Sequence, residues 1–435
     1  MSTKISAPRG TQDALPGQTA AWQWLEGVLR DTAHRFSCRE IRFPVFEHTE
    51  LFLRGVGDTT DVVQKEMYTF QDKGGRSITL RPEGTASVAR AFIEHALYAG
   101  PLPLKVYYIA PNFRYERPAA GRWRQHHQFG AEYFGPASPA ADAEVIGLGR
   151  ACLDALELRD VTLKLNSIGC PDCRPAYLDS LREYFEARRS KLCPTCLDRL
   201  NRNPMRILDC KDPGCAALTA GAPVTRDYLC GACREHQAGL ETHLSAMNIP
   251  FTFDPFIVRG LDYYTRTVFE FIGGTAGTQG TVCGGGRYDR LAASLGGPPT
   301  PALGFGMGLE RLLLVLETRG LIPPDGDRCE LFIAAMGDKA NAHTTALTSQ
   351  LRAAGLQAER DLMGRSLKAQ MKAADRMGAA FTLVLGEDEL DAGRGVLKRM
   401  DGEGDVPVAL DADAIIQAYA NSVALSIFDA KRDEV

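Results

Sequence analysis

The stretch VRGLDYYTRTVFEF, residues 258–271, decides how the chain is read. It opens with a cation beside a glycine, Arg259-Gly260, and then sets Tyr263 and Tyr264 side by side. Between 265 and 271 the residues alternate at period two, which predicts a half-buried strand. Val268 and Glu270 then face one side, with Thr267, Phe269 and Phe271 on the other. Taken alone, this is an ordinary strand with a tyrosine pair in its approach loop. Three further stretches carry charges that a packed core does not need, and these give the segment a role.

Working outward, the chain has 435 residues, so two or three domains are expected. Hydrophobic content of 45% and charged content of 24% are those of a soluble globular protein. A formal net charge of −4 gives no bulk argument for nucleic-acid binding, so any basic surface must be local. No apolar run approaches the length of a membrane span, and MSTKISAPRG lacks a secretory apolar region, so a cytoplasmic enzyme is expected. Eight of the twelve cysteines fall in close pairs: Cys170 and Cys173, Cys193 and Cys196, Cys210 and Cys215, Cys230 and Cys233. In a reducing compartment such pairs are candidate structural zinc ligands, although reduced cysteines also pack as small hydrophobes. No catalytic role is expected of them.

Periodicity predicts a helix over 19–37 and a strand over 40–46 that Pro44 confines to an edge or interface. Hairpin strands are expected at 60–70 and 77–81, strands at 105–109 and 126–135, and a helix at 141–156. The cysteine-rich, mostly helical 169–252 reads as a module inserted between 1–168 and 253–322. LIPPDGD (321–327) reads as a linker, and βαβαβ alternation over 323–435 predicts a small α/β domain with a parallel sheet.

Arg114, Glu116, Arg117, Arg122 and Arg124 cluster along one hairpin, with Arg259 and Arg311 in other segments. Arginines converging from separate strands suggest a polyphosphate site, and no Walker sequence is present. Glu83, Gln128, Glu132, Tyr263 and Tyr264 form a second set, suited to an α-amino group and an imidazole. Gln128 and Glu132 are four apart on a strand and share a face. Glu83-Gly84-Thr85 lies at a strand-to-helix turn, where backbone amides can approach a ligand.

These stretches, in this order, resemble the histidyl-tRNA synthetases, a family of class II aminoacyl-tRNA synthetases, over nearly the whole chain. EIRFPVFE (40–47) resembles motif 1, FRYERPAAGRWRQHHQFGAE (113–132) motif 2 and ALGFGMGLERL (302–312) motif 3. RGLDYYTRTVFEF (259–271) and GTVCGGGRYD (280–289) resemble the two histidine-specific motifs, and TLRPEGT (79–85) is typical of the family. The resemblance implies an antiparallel sheet flanked by helices, a helical insertion and, over 323–435, an α/β anticodon-binding domain. It implies that Glu83, Gly84, Thr85, Gln128, Glu132, Tyr263 and Tyr264 hold L-histidine. Arg114 and Arg259 would grip the carboxylate and the α-phosphate as catalytic cations, and Glu116, Arg114 and Arg311 would hold ATP with Mg2+. It also implies a homodimer and tRNA(His) as partner. Arg122 and Arg124 are then candidates for the acceptor end, and Arg352, Arg360, Arg365 and Lys368 for the anticodon by charge alone. His126 stands where relatives often carry an adenine-stacking phenylalanine.

Three other readings compete. A non-catalytic paralogue that regulates ATP phosphoribosyltransferase would have eroded motifs and no anticodon domain. A prolyl, threonyl or glycyl synthetase would not carry RGLDYY. A zinc-dependent nucleic-acid-binding protein would leave the arginine and glutamate set unexplained.

Overall fold

The computed structural model describes residues 4–57, 60–273, 280–324, 329–402 and 404–432. Two compact units divide it, Met1–Pro323 and Pro324–Val435. Residues 325–327 of the expected linker lie outside the described residues.

The first unit is built on an eight-stranded sheet among the described residues. In chain order its strands are Arg39–Glu40 (β1), Leu104–Phe113 (β2), Gln125–Phe134 (β3), Thr162–Ser167 (β4), Phe251–Phe253 (β5), Thr265–Ile272 (β6), Thr281–Arg287 (β7) and Ala302–Gly308 (β8). Their order across the sheet is β1-β2-β3-β8-β7-β6-β4-β5. The central pairings are antiparallel, but β1 runs parallel to β2 and β5 parallel to β4. The sheet is therefore mixed at its two edges rather than antiparallel throughout. A parallel neighbour needs a crossover, and the residues between β4 and β5 supply one as the cysteine-rich segment.

Alternation along the strands separates two faces. Phe129, Ala131, Tyr133, Phe269 and Phe271 join one core cluster with Leu25 and Leu29 of Thr19–Arg35 (α1). The same cluster takes Val145, Ile146 and Leu148 of Pro139–Ala155 (α3) and Leu312 and Leu316 of Leu309–Thr318 (α7). Burying each of the leucine, isoleucine, valine and phenylalanine side chains contributes about 1.5–3 kcal/mol. Val268, on the opposite face, packs in a second cluster with Val88 and Phe92 of Thr85–Glu94 (α2). Tyr177, Leu181 and Phe185 of Arg174–Glu186 (α4) belong to that cluster as well. The cysteine-rich segment thus shares a core with the site-bearing face. It continues through Pro194–Arg202 (α5) and Gly231–Ala246 (α6).

Pro44 ends pairing as expected, and with a sharper outcome. The expected 40–46 strand becomes two pieces in different sheets, β1 and Phe46–His48, the latter beside Ser77–Leu80, which pairs in turn with Tyr68–Gln71. The expected 60–70 strand is also shorter. Val62–Glu66 forms a π-helical turn because Val62 packs with Leu51, Phe52 and Val56, while Asp61 pairs with Arg199 at 2.7 Å.

In the second unit Leu331–Ala335 lies between parallel Ala358–Arg360 and Phe381–Leu385. Arg394–Arg399 and Val406–Ala409 extend that sheet antiparallel. Helices Asp338–Ala353, Leu367–Arg376 and Ala412–Arg432 complete the unit.

One buried ion cluster ties the segments of the first unit. The Arg287 guanidinium, fully buried at the end of β7, donates to Asp142 of α3, to Asp289 at 3.0 Å and to the Pro136 carbonyl at 2.9 Å. His236 of α6 lies 3.2 Å from the same Asp142 carboxylate. Burial works to raise the Asp142 pKa, but His236 and Arg287 outweigh it and hold the carboxyl below its ordinary value. Removing one member strands the others without water. Asp142→Ala should lower stability by roughly 3–5 kcal/mol, read from the urea midpoint. A shift below about 1 kcal/mol would show that Asp289 alone satisfies Arg287.

Candidate functional site

The site lies on the face of the sheet opposite α1, α3 and α7. On β3 that face carries His126, Gln128 and Glu132, because these positions are even steps apart. Their side chains need room over the neighbouring strand, and β8 provides it with glycine. A Cβ on Gly304 would lie 1.9 Å from Glu132 Oε2, and one on Gly306 1.8 Å from Gln128 Nε2.

Glu132 is the centre of a hydroxyl cage. Thr85 Oγ1 donates to it at 2.7 Å, Tyr108 OH at 3.3 Å, and Tyr288 OH donates to the other oxygen. Burial pushes its pKa up to about 8, against the hydrogen bonds of Tyr288 and Thr85. Glu83 is also buried and its pKa is raised by burial; its oxygens accept from the Thr85 amide at 2.7 Å and the Ala86 amide at 2.8 Å. It therefore caps α2 from Gly84 onward, and the cap holds Thr85 against Glu132. Tyr263 packs on Tyr264 at 4.6 Å between ring centroids and on Tyr288 at 5.4 Å. Asn112 Nδ2 donates to Gln128 Oε1 at 2.8 Å, which fixes the Gln128 amide. Two buried carboxyls whose charge is held back, walled by phenols, favour a small cationic or imidazole-bearing ligand.

Beside this pocket lies a cation set. Arg259 donates to Glu270 Oε1 at 2.5 Å, and Thr281 Oγ1 donates to Glu270 Oε2 at 2.8 Å. The buried Nε of Arg259 has no hydrogen-bond partner among the described residues. Gly284 makes room for this guanidinium, since a Cβ there would come within 2.6 Å of Nη1. Arg311 donates to the Thr281 carbonyl at 2.7 Å, so it reaches the same strand. Arg114 donates to the Pro82 carbonyl at 2.8 Å and stands 3.9 Å from Glu116. His126 is held neutral: burial first, then Arg114, His127 and Arg311, push its pKa down to about 3. A neutral ring on that face can stack on a base.

The motif 2 loop divides its arginines. Arg122 pairs with Glu116 at 3.1 Å. Arg124 lies 3.8 Å over the Tyr115 ring and donates to the Glu116 carbonyl at 3.2 Å, so it also braces the loop. In the second unit Arg352 donates to the Ala358 carbonyl at 2.7 Å, Arg360 to Asn341 at 3.3 Å, and Arg365 stands 3.6 Å from Asp361. Lys368 lies on helix Leu367–Arg376. Leu362 and Met363 are strongly exposed in the same loop.

The eight paired cysteines gather into two quartets, Cys170, Cys173, Cys230, Cys233 and Cys193, Cys196, Cys210, Cys215. Within each, all sulphurs lie within 4.8 Å of one another. Cys170 is 3.7 Å from Cys173 and 3.8 Å from Cys230; Cys173 is 3.9 Å from Cys233, and Cys193 is 3.9 Å from Cys210. A disulfide needs about 2.05 Å. Four sulphurs at about 2.3 Å from a tetrahedral zinc are about 3.8 Å apart. The quartets fit that ion.

Sequence reading passed over several participants. Glu270 sat in plain view as an acid between Phe269 and Phe271, and Asn112 beside Phe113. Tyr108 and Tyr288 had no local signal, because their partner Glu132 is distant in sequence. Glu310 was passed over too: it accepts from the His127 amide at 2.8 Å and from its ring at 2.9 Å, locking α7 to β3.

The chain matches the histidyl-tRNA synthetase family over residues 10–191 and 205–312, and the anticodon binding domain family over 330–415. A histidine–tRNA ligase of Acetivibrio thermocellus is 51% identical over 405 residues, covering 93% of this chain and 97% of that protein. One from Clostridium botulinum is 49% identical over 416 residues, covering 95% and 99%. The crystal structure of apo histidyl-tRNA synthetase from S. aureus superposes with a TM-score of 0.81 at 38% identity, covering 96% of this chain and all of that one. With both families matched in sequence order and the architecture shared with the S. aureus enzyme, the chain belongs to the histidyl-tRNA synthetase family.

Proposed function

We propose that the chain activates L-histidine with ATP and transfers it to the terminal ribose of tRNA(His). The observation that carries this is the join of two chemistries on one sheet face: the phenol-walled Glu132 pocket and the Arg259 cation set beside it. Glu83, Gly84, Thr85, Gln128, Glu132, Tyr263 and Tyr264 receive the amino acid. Glu132 gives up its proton to meet the α-ammonium beside Glu83, and Tyr264 and Tyr263 wall the imidazole. Arg114 and Arg259 draw the carboxylate and the α-phosphate together, while Glu116, Arg114 and Arg311 orient ATP, which enters with Mg2+.

The carboxylate oxygen attacks the α-phosphorus in line. The bond to the bridging oxygen breaks, and pyrophosphate leaves. Charge builds on the phosphoryl oxygens during this step, and Arg259 is a fixed cation for it. Its Glu270 partner and its free Nε mean that it is already aimed and still has a donor to give. The ribose hydroxyl of tRNA then attacks the adenylate carbonyl and releases AMP. Arg122 and Arg124 flank the acceptor end in this reading, and the loop bearing Arg365 after strand-end Arg360, with Arg352 and Lys368 nearby in sequence, meets the anticodon. Exposed Val45, Phe46, Leu53 and Phe70, in or next to the small sheet, support a homodimer. Each cysteine quartet holds a structural zinc, and thiolates bound to zinc rather than joined as disulfides suit a cytoplasmic setting.

ATP–pyrophosphate exchange screened across the amino acids tests the reading. Exchange with histidine alone is expected; its absence would remove the claim. Arg259→His should lower the exchange kcat by about 10²–10³-fold with histidine affinity within a few fold. Equal losses in rate and binding would give Arg259 a ground-state role instead.

Glu132 makes the ligand-free protein pH-sensitive. The folded chain keeps this proton up to about pH 8, whereas a carboxyl at its ordinary value of 4.5 has lost it. Between those values the folded state holds more protons, so stability falls as pH rises. In Glu132→Gln the melting temperature should fall less than in the wild type between about pH 5 and about pH 8, and histidine binding should be lost. Parallel curves for the two proteins would place the proton elsewhere.

A further inference from the structure

The tyrosine pair is held from behind by a single guanidinium. Arg174 follows Cys173 directly and is the first residue of α4. It donates from Nη2 to the Tyr264 carbonyl at 2.6 Å and to the Gly169 carbonyl at 3.3 Å, and from Nε to the Ile168 carbonyl at 3.0 Å. A cation at a helix N-terminus opposes the helix dipole, so α4 itself gives no reason for an arginine there. The three carbonyls do.

The backbone it grips is unusual. Arg266 adopts φ of +51°, a left-handed conformation that costs a non-glycine residue on the order of 1–3 kcal/mol. It is bracketed by the Gly169 carbonyl, which accepts from its amide at 2.8 Å, and by the Ile168 amide, which donates to its carbonyl at 2.8 Å. A cleft of about 380 Å³, lined by Arg174, Pro171, Tyr263, Tyr264 and Thr265, opens on this side. Gly169 is tied to the cysteines in turn. Its φ is +68°, and a Cβ there would lie 2.9 Å from Cys173 Sγ.

We propose that the centre at Cys170, Cys173, Cys230 and Cys233 positions the amino-acid pocket, acting through Arg174 on the backbone of Tyr264. This rests on the zinc reading above and extends it. Zinc fixes Cys173 against Cys230 and Cys233, which sets the first turn of α4. That turn aims Arg174, and Arg174 sets where the Tyr264 ring begins. Arg174 is a positioning residue; it touches neither histidine nor ATP.

The test uses the full-length protein purified without chelator. Zinc content is measured by elemental analysis, histidine and ATP binding by calorimetry, and kcat and KM by pyrophosphate exchange. Two zinc ions per chain are expected for the wild type, one per quartet. Arg174→Gln should keep both ions, weaken histidine binding and raise its KM roughly tenfold, and leave ATP binding unchanged. Cys230→Ser with Cys233→Ser should lose one ion and show the same histidine defect. Adding Arg174→Gln to that pair should then cost nothing further. If the serine pair fails to fold, Arg174→Lys decides, with an intermediate defect expected because lysine keeps the charge but not the fork. Wild-type histidine affinity in a zinc-loaded Arg174→Gln protein overturns the coupling and leaves zinc standing. A wild-type protein without zinc overturns the metal centre, while histidine-dependent exchange in it leaves the enzymatic reading intact.

Discussion

Polar side chains that must lie flat on a sheet need neighbouring strands with nothing in the way. That constraint shapes the first unit. Gly304 and Gly306 on β8 give way to Glu132 and Gln128, and Gly284 on β7 gives way to Arg259. The other face of those strands cannot be bare, because it is the core. Leu303, Phe305 and Met307 fill it beneath the glycines. One strand thus alternates between side chains that stabilise the fold and spaces that admit the polar side chains of its neighbour.

Charge is managed the same way, locally. The chain as a whole is close to neutral, yet the site gathers Arg114, Arg259 and Arg311. Each is held by a carbonyl or a carboxylate, so no buried cation is left entirely to itself. Holding a cation before the substrate arrives costs desolvation, and the partner offsets it. Glu132 takes the opposite course. It has hydroxyls but no cation, and remains protonated well above the usual carboxylate range. The cation set is charged in advance; in the proposed reading, the Glu132 pocket acquires its charge when a cation enters.

Much of this was legible in the sequence, and the reasons are local. Alternation in 265–271 gave the strand and its two faces correctly, and four-residue spacing put Gln128 and Glu132 together. The βαβαβ pattern gave the second unit's parallel core. What was not legible depends on pairs far apart in the chain. Tyr288 finds Glu132 across 156 positions, and Arg287 finds Asp142 across 145. The parallel edges of the sheet were missed for a related reason, since they follow from where the long crossovers return the chain. The π-helical turn at Val62–Glu66 overrode a strand-like pattern because Val62 had a pocket to fill. The cysteine pairs announced themselves, but only the fold showed which pair meets which.

That pairing bears on how the chain reaches its fold. β4 and β6 are neighbours in the sheet, yet the whole cysteine-rich segment separates them. Cys170 and Cys230 stand 60 residues apart in sequence and 3.8 Å apart in space, one just after β4 and the other shortly before the chain returns to it. Bringing the ends of a loop of that length together costs an unfolded chain roughly 4 kcal/mol in entropy. A zinc ion held there, as proposed above, would clip the four sulphurs together and leave only residues 168–170 and 230–264 to span from β4 to β6. The quartet would then act as a splice, taking the segment between Cys170 and Cys230 out of the connection.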